Sequence, residues 1–343
     1  MYDSRSWKFV VGGVFGCLLA SMLLGAACAD SDQAAQPAGE STKPWTRVEL
    51  VGRYSFKGAV LEDKDLSGIA CASDRYGLVG TDEGWAVQIV ELSPKARTLT
   101  VTGTIPLLDA GAEIDIEAIA SEAGSYYVTG SHGVAKKTGE SQANRYKIFR
   151  LKANPATGSA VVQDTASLSG LLRRDPVLGT YFQKPLQRRG LNIEGLAVRD
   201  GKLFFGFRGP NLDGAAFVLE IRADDVFSGK SRPAYTLHRL ALGDGLGIRE
   251  IVAARTGFLL IAGNSGAEPS ERFPRAENYR EGRGYSLFTW DGKGSRVHEI
   301  GPIPNVPGKA EAMTILEESP DHVTVLILFD GPKGGRPSIY RID

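Results

Sequence analysis

The 343-residue chain is 42% hydrophobic and 23% charged, the make-up of a globular protein with a full core and not of a disordered or fibrous one. Its 40 Lys and Arg balance its 40 Asp and Glu, which excludes an overall basic footprint for nucleic acid, and three cysteines are too few for a disulfide framework. Glycine, at 42 residues, is well above its usual share, as expected where many tight turns join short strands.

The chain begins with Arg5 and Lys8, followed by an uncharged stretch over 9–29 rich in Val, Leu, Gly and Ala, the pattern of an export signal. That stretch is also long enough to act as an uncleaved membrane anchor. LGAAC at 24–28 resembles a bacterial lipobox, with Gly25 where an aliphatic residue is usual; Cys28 would then be lipidated and become the mature N-terminus. Ala27-Cys28-Ala29 equally fits an A-x-A cleavage rule, which leaves a soluble secreted product open. Residues 29–44, rich in Ser, Ala, Gln and Pro, read as a disordered tether. The expectation is an exported protein of the bacterial envelope, in the periplasm or on the outer membrane, touching the membrane through its lipid alone. Cys17 and Cys28 fall in the leader, so Cys71 is left as a small buried residue on a strand.

From residue 65 onward one phrase returns five times: DLSGIA at 65–70, DIEAIA at 115–120, NIEGLA at 192–197, GIREIVA at 247–253 and KAEAMT at 309–314. Self-similarity at this period marks a repeat architecture. A short turn and an apolar strand follow each copy, as in YYVTG at 126–130, KLFFG at 202–206 and FLLIAG at 258–263. Third strands are visible in VQIVEL, YKIFRL, AFVLEI, YSLFTW and SIYRI, and weaker fourth strands in LTVTGTI, VVQDTASL, YTLHRLAL and RVHEIGPI. Four antiparallel strands per unit, repeated, make an all-β fold of β-propeller blades. The fifth unit stops after its third strand, and TRVELVGRYSF at 46–56 can supply the missing one. The sequence therefore predicts a single domain over 45–343, a five-bladed propeller closed by its N-terminal strand; a sixth blade within 169–190 is the alternative, and a monomer is expected.

Small residues at Gly68, Ala118, Gly195 and Ala312 suit the crowded axis of such a ring, and Ile69, Ile119, Leu196, Val252 and Met313 are expected to fill the space between blades. The long connections, at 133–145, 169–190, 264–284 and 331–337, all emerge at the end where the first strands begin. Insertions gathered on one face of a repeat ring commonly mark the binding face. There the first strands open with Ser67, Glu117, Glu194, Glu250 and Glu311, preceded by Asp65, Asp115 and Asn192. The second strands end on Asp82 and Glu83, His132, Arg208, Asn264 and Ser265, and Asp330, with Arg249 and Lys309 beside the glutamates.

Two carboxylates 6 Å apart at an effective dielectric near 20 repel by about 3 kcal/mol, so the converging glutamates need a cation or a proton. Arg208, Arg249 and Lys309 can neutralise the ring internally. Alternatively a divalent ion, Ca2+ or Mg2+ for an oxygen-only set, is held by Glu117, Glu194 and Glu311. Asp115, Asn192, Arg208, Arg249, Glu250, Asn264 and Asp330 complete the expected ligand-binding face, and Ser67 breaks the pattern of glutamates. His132 is the one histidine of four at this face, a candidate general base with Arg208 to meet a developing anion, although a histidine in a Gly-flanked turn is commonly structural. No zinc or nucleotide is expected: paired histidines, a cysteine pair and a P-loop are all missing from the sequence. Residues 171–190 carry Arg173, Arg174, Lys184, Arg188 and Arg189 against Asp175 alone, either a solvated rim or a patch that steers an anion.

GLNIEGLAVRDGKLFFGFRGP at 190–210 resembles the domain-of-unknown-function 3616 family. VTGSHGVAKK at 128–137, GLGIREIV at 245–252 and KAEAMTIL at 309–316 are similar to it as well, the last departing from its EGIT-type wording at Ala312 and Met313. The family in turn resembles the phytase-like and esterase-like propellers, and what the resemblance implies is the fold; it implies no particular reaction. The leading functional expectation is thus a small anionic or metal-bridged ligand bound at the central face. The alternatives are a metal-dependent hydrolase of a phosphoester or lactone and an envelope protein-interaction scaffold.

Overall fold

The computed structural model describes residues 45–154, 157 and 159–343. The export signal, Cys28 and the tether expected over 29–44 lie outside the described residues. Five sheets follow one another along the chain. Strand β1 is Val48–Arg53 and β2 is Ser55–Lys57. Blade one contains β3 (Leu66–Cys71), β4 (Tyr76–Thr81), β5 (Ala86–Ser93) and β6 (Thr98–Pro106). Blade two contains β7 (Ile116–Glu122), β8 (Ser125–Gly130), β9 (Ile148–Asn154) and β10 (Ser159–Ala166). Blade three runs through β11 (Asn192–Arg199), β12 (Lys202–Gly209), β13 (Ala216–Arg222) and β14 (Tyr235–Leu240). Blade four runs through β15 (Leu246–Ala254), β16 (Gly257–Asn264), β17 (Ser286–Trp290) and β18 (Val297–Pro302). Blade five has β19 (Lys309–Glu318), β20 (Val323–Asp330) and β21 (Ser338–Ile342), with β1 as its outer strand, Val48 opposite Ile342.

The five-bladed ring closed by the N-terminal strand is thus as expected, with one addition. The segment expected to be a single closing strand breaks at Tyr54. Its second half, β2, crosses to blade one and runs parallel to β6, Ser55 opposite Thr98. The same short stretch of chain therefore ties blade five to blade one.

Five apolar clusters hold the ring together, one between each pair of neighbouring blades. The interface of blades three and four shows their composition: Phe204 lies 4.5 Å from Phe258, which stacks on Trp290 at 5.1 Å. Each such side chain, taken out of water, contributes roughly 1.5–3 kcal/mol. Around the axis each first strand touches the next. A Cβ on Gly68 would come within 2.9 Å of Ile119 in the following blade, which is why the phrase carries a small residue there.

The 169–190 insertion is no sixth blade. It forms helix α1 (Ser169–Arg174) and two 3-10 turns, Leu178–Thr180 and Leu186–Arg188. Leu171, Leu172, Leu178 and Phe182 extend the cluster between blades two and three. Buried Asp175 accepts the N–H groups of Val177 and Leu178 and the hydroxyl of Tyr235 at 2.6 Å. The apolar residues of this segment serve packing, and they lack the alternation a blade strand requires.

Candidate functional site

Each first strand carries a β-bulge one to three residues after it begins to pair. A bulge leaves one residue unpaired and re-aims its side chain. The bulged residues are Ser67, Glu117, Glu194, Arg249 and Glu311. Blade four thus presents Arg249 where the sequence pattern placed Glu250, so the ring holds three glutamates, one arginine and one serine. Ile251, not Val252, then occupies the inter-blade position of Ile69, Ile119, Leu196 and Met313.

Glu250 falls on the small-residue position and is fully buried. One of its oxygens accepts the amides of Ile251 at 2.8 Å and Leu196 at 3.2 Å; the other has no hydrogen-bond partner among the described residues. Burial pushes its carboxyl well above the usual range, and nearby Glu194 adds to the effect. It is a neutral acid stitching the first strands of blades three and four, not part of a ligand face.

The arginine solves the electrostatic problem of the ring. Arg249 Nε lies 2.8 Å from Glu194 Oε2, and its Nη2 pairs with Glu311. The first is a charge contact and not an aligned hydrogen bond, since neither atom has a hydrogen-bond partner among the described residues. Glu194 also accepts Arg208 Nη1 at 2.9 Å, and Arg208 donates further to the carbonyls of Asn264 and Gly266. Burial opposes the charge of Glu194, but Arg208, Arg249 and Lys136 hold its pKa below the ordinary value. Glu311 moves the other way, up to about 7, by burial and despite Arg249. Position 247 must be glycine for the same packing: a Cβ there would sit 1.9 Å from the Arg208 carbonyl oxygen.

Across the axis, blades one and two meet the same problem with protons. Asp82 and Asp115 are close enough that the charge of one acts on the other. Neighbouring carboxylates resist ionising together. Burial and the charge of Asp82 raise Asp115 well above its usual value, while Asp82 stays low under Lys136 and Arg145 although burial opposes it. Arg145 lies 2.9 Å from Asp115 and also pairs with Glu113. Glu117 is raised well above the carboxylate range by burial, Glu194 and Asp115, and its Oε1 has no partner among the described residues. Burial works against the charge of Lys136, yet Asp82 and Glu117 beside it raise its pKa.

His132 does not face a ligand. Its fully buried ring donates from Nδ1 to Gly130 O at 3.0 Å and accepts the Leu168 amide on Nε2 at 3.1 Å. Burial lowers its pKa to about 4, so the ring is a neutral strut with both nitrogens committed. Asn264 is spent likewise: its side-chain amide donates to Arg280 O and accepts Arg280 N–H, both at 2.9 Å. Asp330 pairs with Lys309. Asn192 is buried, its Oδ1 without a partner among the described residues. Cys71 is half-buried at the end of β3, its thiol pushed up to about 11 by burial.

The trio Glu117, Glu194 and Glu311 does not fit a divalent ion, because Arg208 and Arg249 occupy both oxygens of Glu194 and Arg249 holds Glu311. Among the described residues, the carboxylates that do converge within 4.8 Å are Glu62, Asp65 and Glu83, at the rim of blade one.

Above the ring the long loops lock into a collar. Gln187, buried, donates its amide to Glu268 O at 2.9 Å and Lys136 O at 3.2 Å, and its own carbonyl accepts Glu277 N–H at 2.8 Å. The collar encloses a pocket of about 440 Å³ lined by Lys136, Lys137, Arg208, Arg249, Arg283 and Lys309, with Glu268 as the opposing charge and Tyr279 and Tyr285 as its aromatic lining. The opposite mouth of the axis is a smaller hollow of about 140 Å³, lined by residues of all five first strands, Ile69 and Met313 among them. Lys136, Gln187, Tyr279 and Arg283 lie in loops outside the repeat, where AKK at 135–137 is the available signal, and Tyr285, first residue of the YSLFTW strand, turns to the pocket just before β17 begins. The basic residues of 171–190 do not reach the pocket. Arg189 pairs with Glu277, Arg173 lies over Phe182, Arg188 over Phe273, Lys184 over Tyr181, and Arg174 donates to Ser231 O.

Fold and site together define a five-bladed β-propeller with a buried charge ring beneath a basic axial pocket. The chain belongs to the family described as Protein of unknown function (DUF3616), whose model matches residues 65–157 and 150–339. No curated protein matches it in sequence. Among solved structures it is similar to the PQQ-bound aldose sugar dehydrogenase of Streptomyces coelicolor, at 13% identity over 87% of this chain and 98% of that one, TM-score 0.45. It is also similar to a putative 6-phosphogluconolactonase from Bacteroides uniformis, at 10% identity over 84% of this chain and 90% of that one, TM-score 0.43. The GH43 endo-arabinanase of Bacillus licheniformis covers 84% of this chain and 96% of its own at 10% identity, TM-score 0.40. These likenesses are weak, and nothing about the site is taken from them.

Proposed function

We propose that the protein is an exported, lipid-anchored propeller that binds a small anionic ligand in its axial pocket. The observation carrying this reading is the lining itself: six cationic side chains face a pocket of about 440 Å³ that has one carboxylate in its wall. That volume lies within the roughly 300–1,000 Å³ of small-molecule sites. Buried Arg208 and Arg249 already serve Glu194 and Glu311, and they fix the floor. Exposed Lys137 and half-buried Arg283 supply the charge left for a ligand, while Lys136 serves Asp82 and Glu117 in the ring. Arginine forks and lysine ammoniums suit carboxylate or phosphate groups. The metal-dependent hydrolase has no support from the carboxylate trio, and no observation favours an interaction scaffold.

The test is thermal stability of the full chain against a panel of citrate, glucose 6-phosphate and galacturonate. A ligand present at about 100 times its Kd stabilises by about 2.7 kcal/mol. The shift is expected to shrink with added salt and to fall for Lys137→Ala, an exposed position where the fold has little at stake. A panel in which no anion moves the melting temperature, at low salt, overturns the reading.

A further inference from the structure

Arg283 and Tyr285 line the axial pocket and also a second hollow of about 450 Å³, bounded by Gly243, Asp244, Leu246, Arg280, Ser286 and Pro302. The two hollows meet at that arginine and tyrosine. The second lies over blade four, between the connection from blade three and the end of β18. It too is basic. Arg280 has no ion pair among the described residues, and Arg283 is tied by one hydrogen bond, from Nη1 to Asp244 O at 2.6 Å. Burial and the nearby Arg280 hold Arg283 below the usual value, the mark of positive charge without full compensation. The backbone of Arg280 is held in place, because the Asn264 amide grips it from both sides, and its exposed side chain is left to reach a ligand.

The geometry points to an extended ligand, a short oligosaccharide of acidic sugars, running from the axial pocket over Tyr285 to Arg280 on blade four. The inference rests on the anion-binding reading of the axial pocket and adds a second subsite to it. Three features select this chemistry. Positive charge recurs along the groove in place of being concentrated at one point, which suits a chain with a carboxylate on each unit. Tyr279 and Tyr285 give the groove aromatic surface of the kind that pyranose C–H faces pack on, with Ser286 beside Tyr285 as a hydroxyl partner. The walls are mostly loops and turns; Leu246, Ser286 and Pro302 enter as strand ends, and of the edge strand β18 only Pro302, which has no N–H, is presented, so an acidic peptide adding as a β-strand has no run of edge to pair with. Preformed positions keep the ordering cost of such a ligand low.

Calorimetric titration of the full chain with galacturonate, trigalacturonate and neutral maltotriose decides it. Trigalacturonate is expected to bind at least about tenfold more tightly than galacturonate, a gain set by the second subsite. Arg280→Ala is expected to bring that ratio down to about threefold or less. Equal affinity for monomer and trimer overturns the second subsite while leaving the axial pocket standing. A trimer advantage that survives Arg280→Ala, or maltotriose binding as tightly as trigalacturonate, overturns it as well. Failure of both galacturonate and trigalacturonate to bind, with citrate or glucose 6-phosphate, titrated alongside, still binding, removes the acidic-sugar chemistry but not the anion site; failure of all four anions removes both.

Discussion

Blade four and its four companions share one backbone device and use it oppositely. In blades two, three and five the bulge of the first strand aims a carboxyl group at the axis; in blade four it aims Arg249, whose two arms reach Glu194 on one side and Glu311 on the other. On the far side of the ring, no bulge supplies a cation. Glu117 there is held as a neutral acid, and Lys136 arrives from a loop. The contrast teaches that a bulge fixes where a side chain points and leaves its charge free, so balance is reached between neighbouring blades and not within each.

Removing the odd member should break the comparison most severely. Arg249→Ala leaves Glu194 and Glu311 facing each other in a dry site, and loss of one partner of a buried pair costs about 3–5 kcal/mol. Urea denaturation at neutral pH measures it. A loss under about 1 kcal/mol would mean that the ring does not depend on blade four for its charge balance.

A more moderate effect is expected at the neighbouring position, where blade four has an acid in place of a small residue. The folded-state pKa of Glu250 is raised by burial. Its contribution is therefore fully present below the unfolded value, near 4.3, and is lost as pH rises through the folded value. Glu250→Gln keeps the acceptor for the amides of Leu196 and Ile251 and cannot ionise. Its stability relative to wild type should change little at pH 4 and then improve by about 1.4 kcal/mol per pH unit within that window. A difference that stays flat from pH 4 to pH 9 would show that Glu250 is not a neutral acid in the folded protein.

The smallest effect belongs to blade one. Ser67 donates its hydroxyl to the carbonyl of Ile116 in blade two. Ser67→Ala should cost about 1 kcal/mol, the typical worth of such a bond. A cost equal to that of Arg249→Ala would erase the distinction between the polar and the charged bulges.

These effects also mark where the sequence was legible. The five phrases, with Gly68, Ala118, Gly195 and Ala312 at the axis, gave the blade count because crowding at the centre of a ring admits few residues. Closure was legible in the missing outer strand of the last blade. Blade four was misaligned by one residue because glutamate was matched to glutamate, placing Glu250 where Arg249 belongs. Similarity of side chains misled where the position of the bulge decides. His132 lay on the predicted face, but nothing in GSHG reveals that Gly130 and Leu168 take both its nitrogens. The pocket lining was least legible of all, since Lys136, Arg283 and Tyr285 are brought together by loops that interlock through Gln187, contacts with no period to read.

The closing segment has a consequence in time. Because Val48 pairs with Ile342, the first strand of the ring cannot find its partner until the last one has been made. At the roughly 5–20 residues per second of synthesis, that is a wait of about 15–60 s. During it, β1 lacks its antiparallel neighbour, so its unpaired edge is open to other chains. Completing the ring is a late, non-local step of the kind that slows folding, and β2, laid along β6, gives the waiting segment an earlier hold close to where it will finally dock.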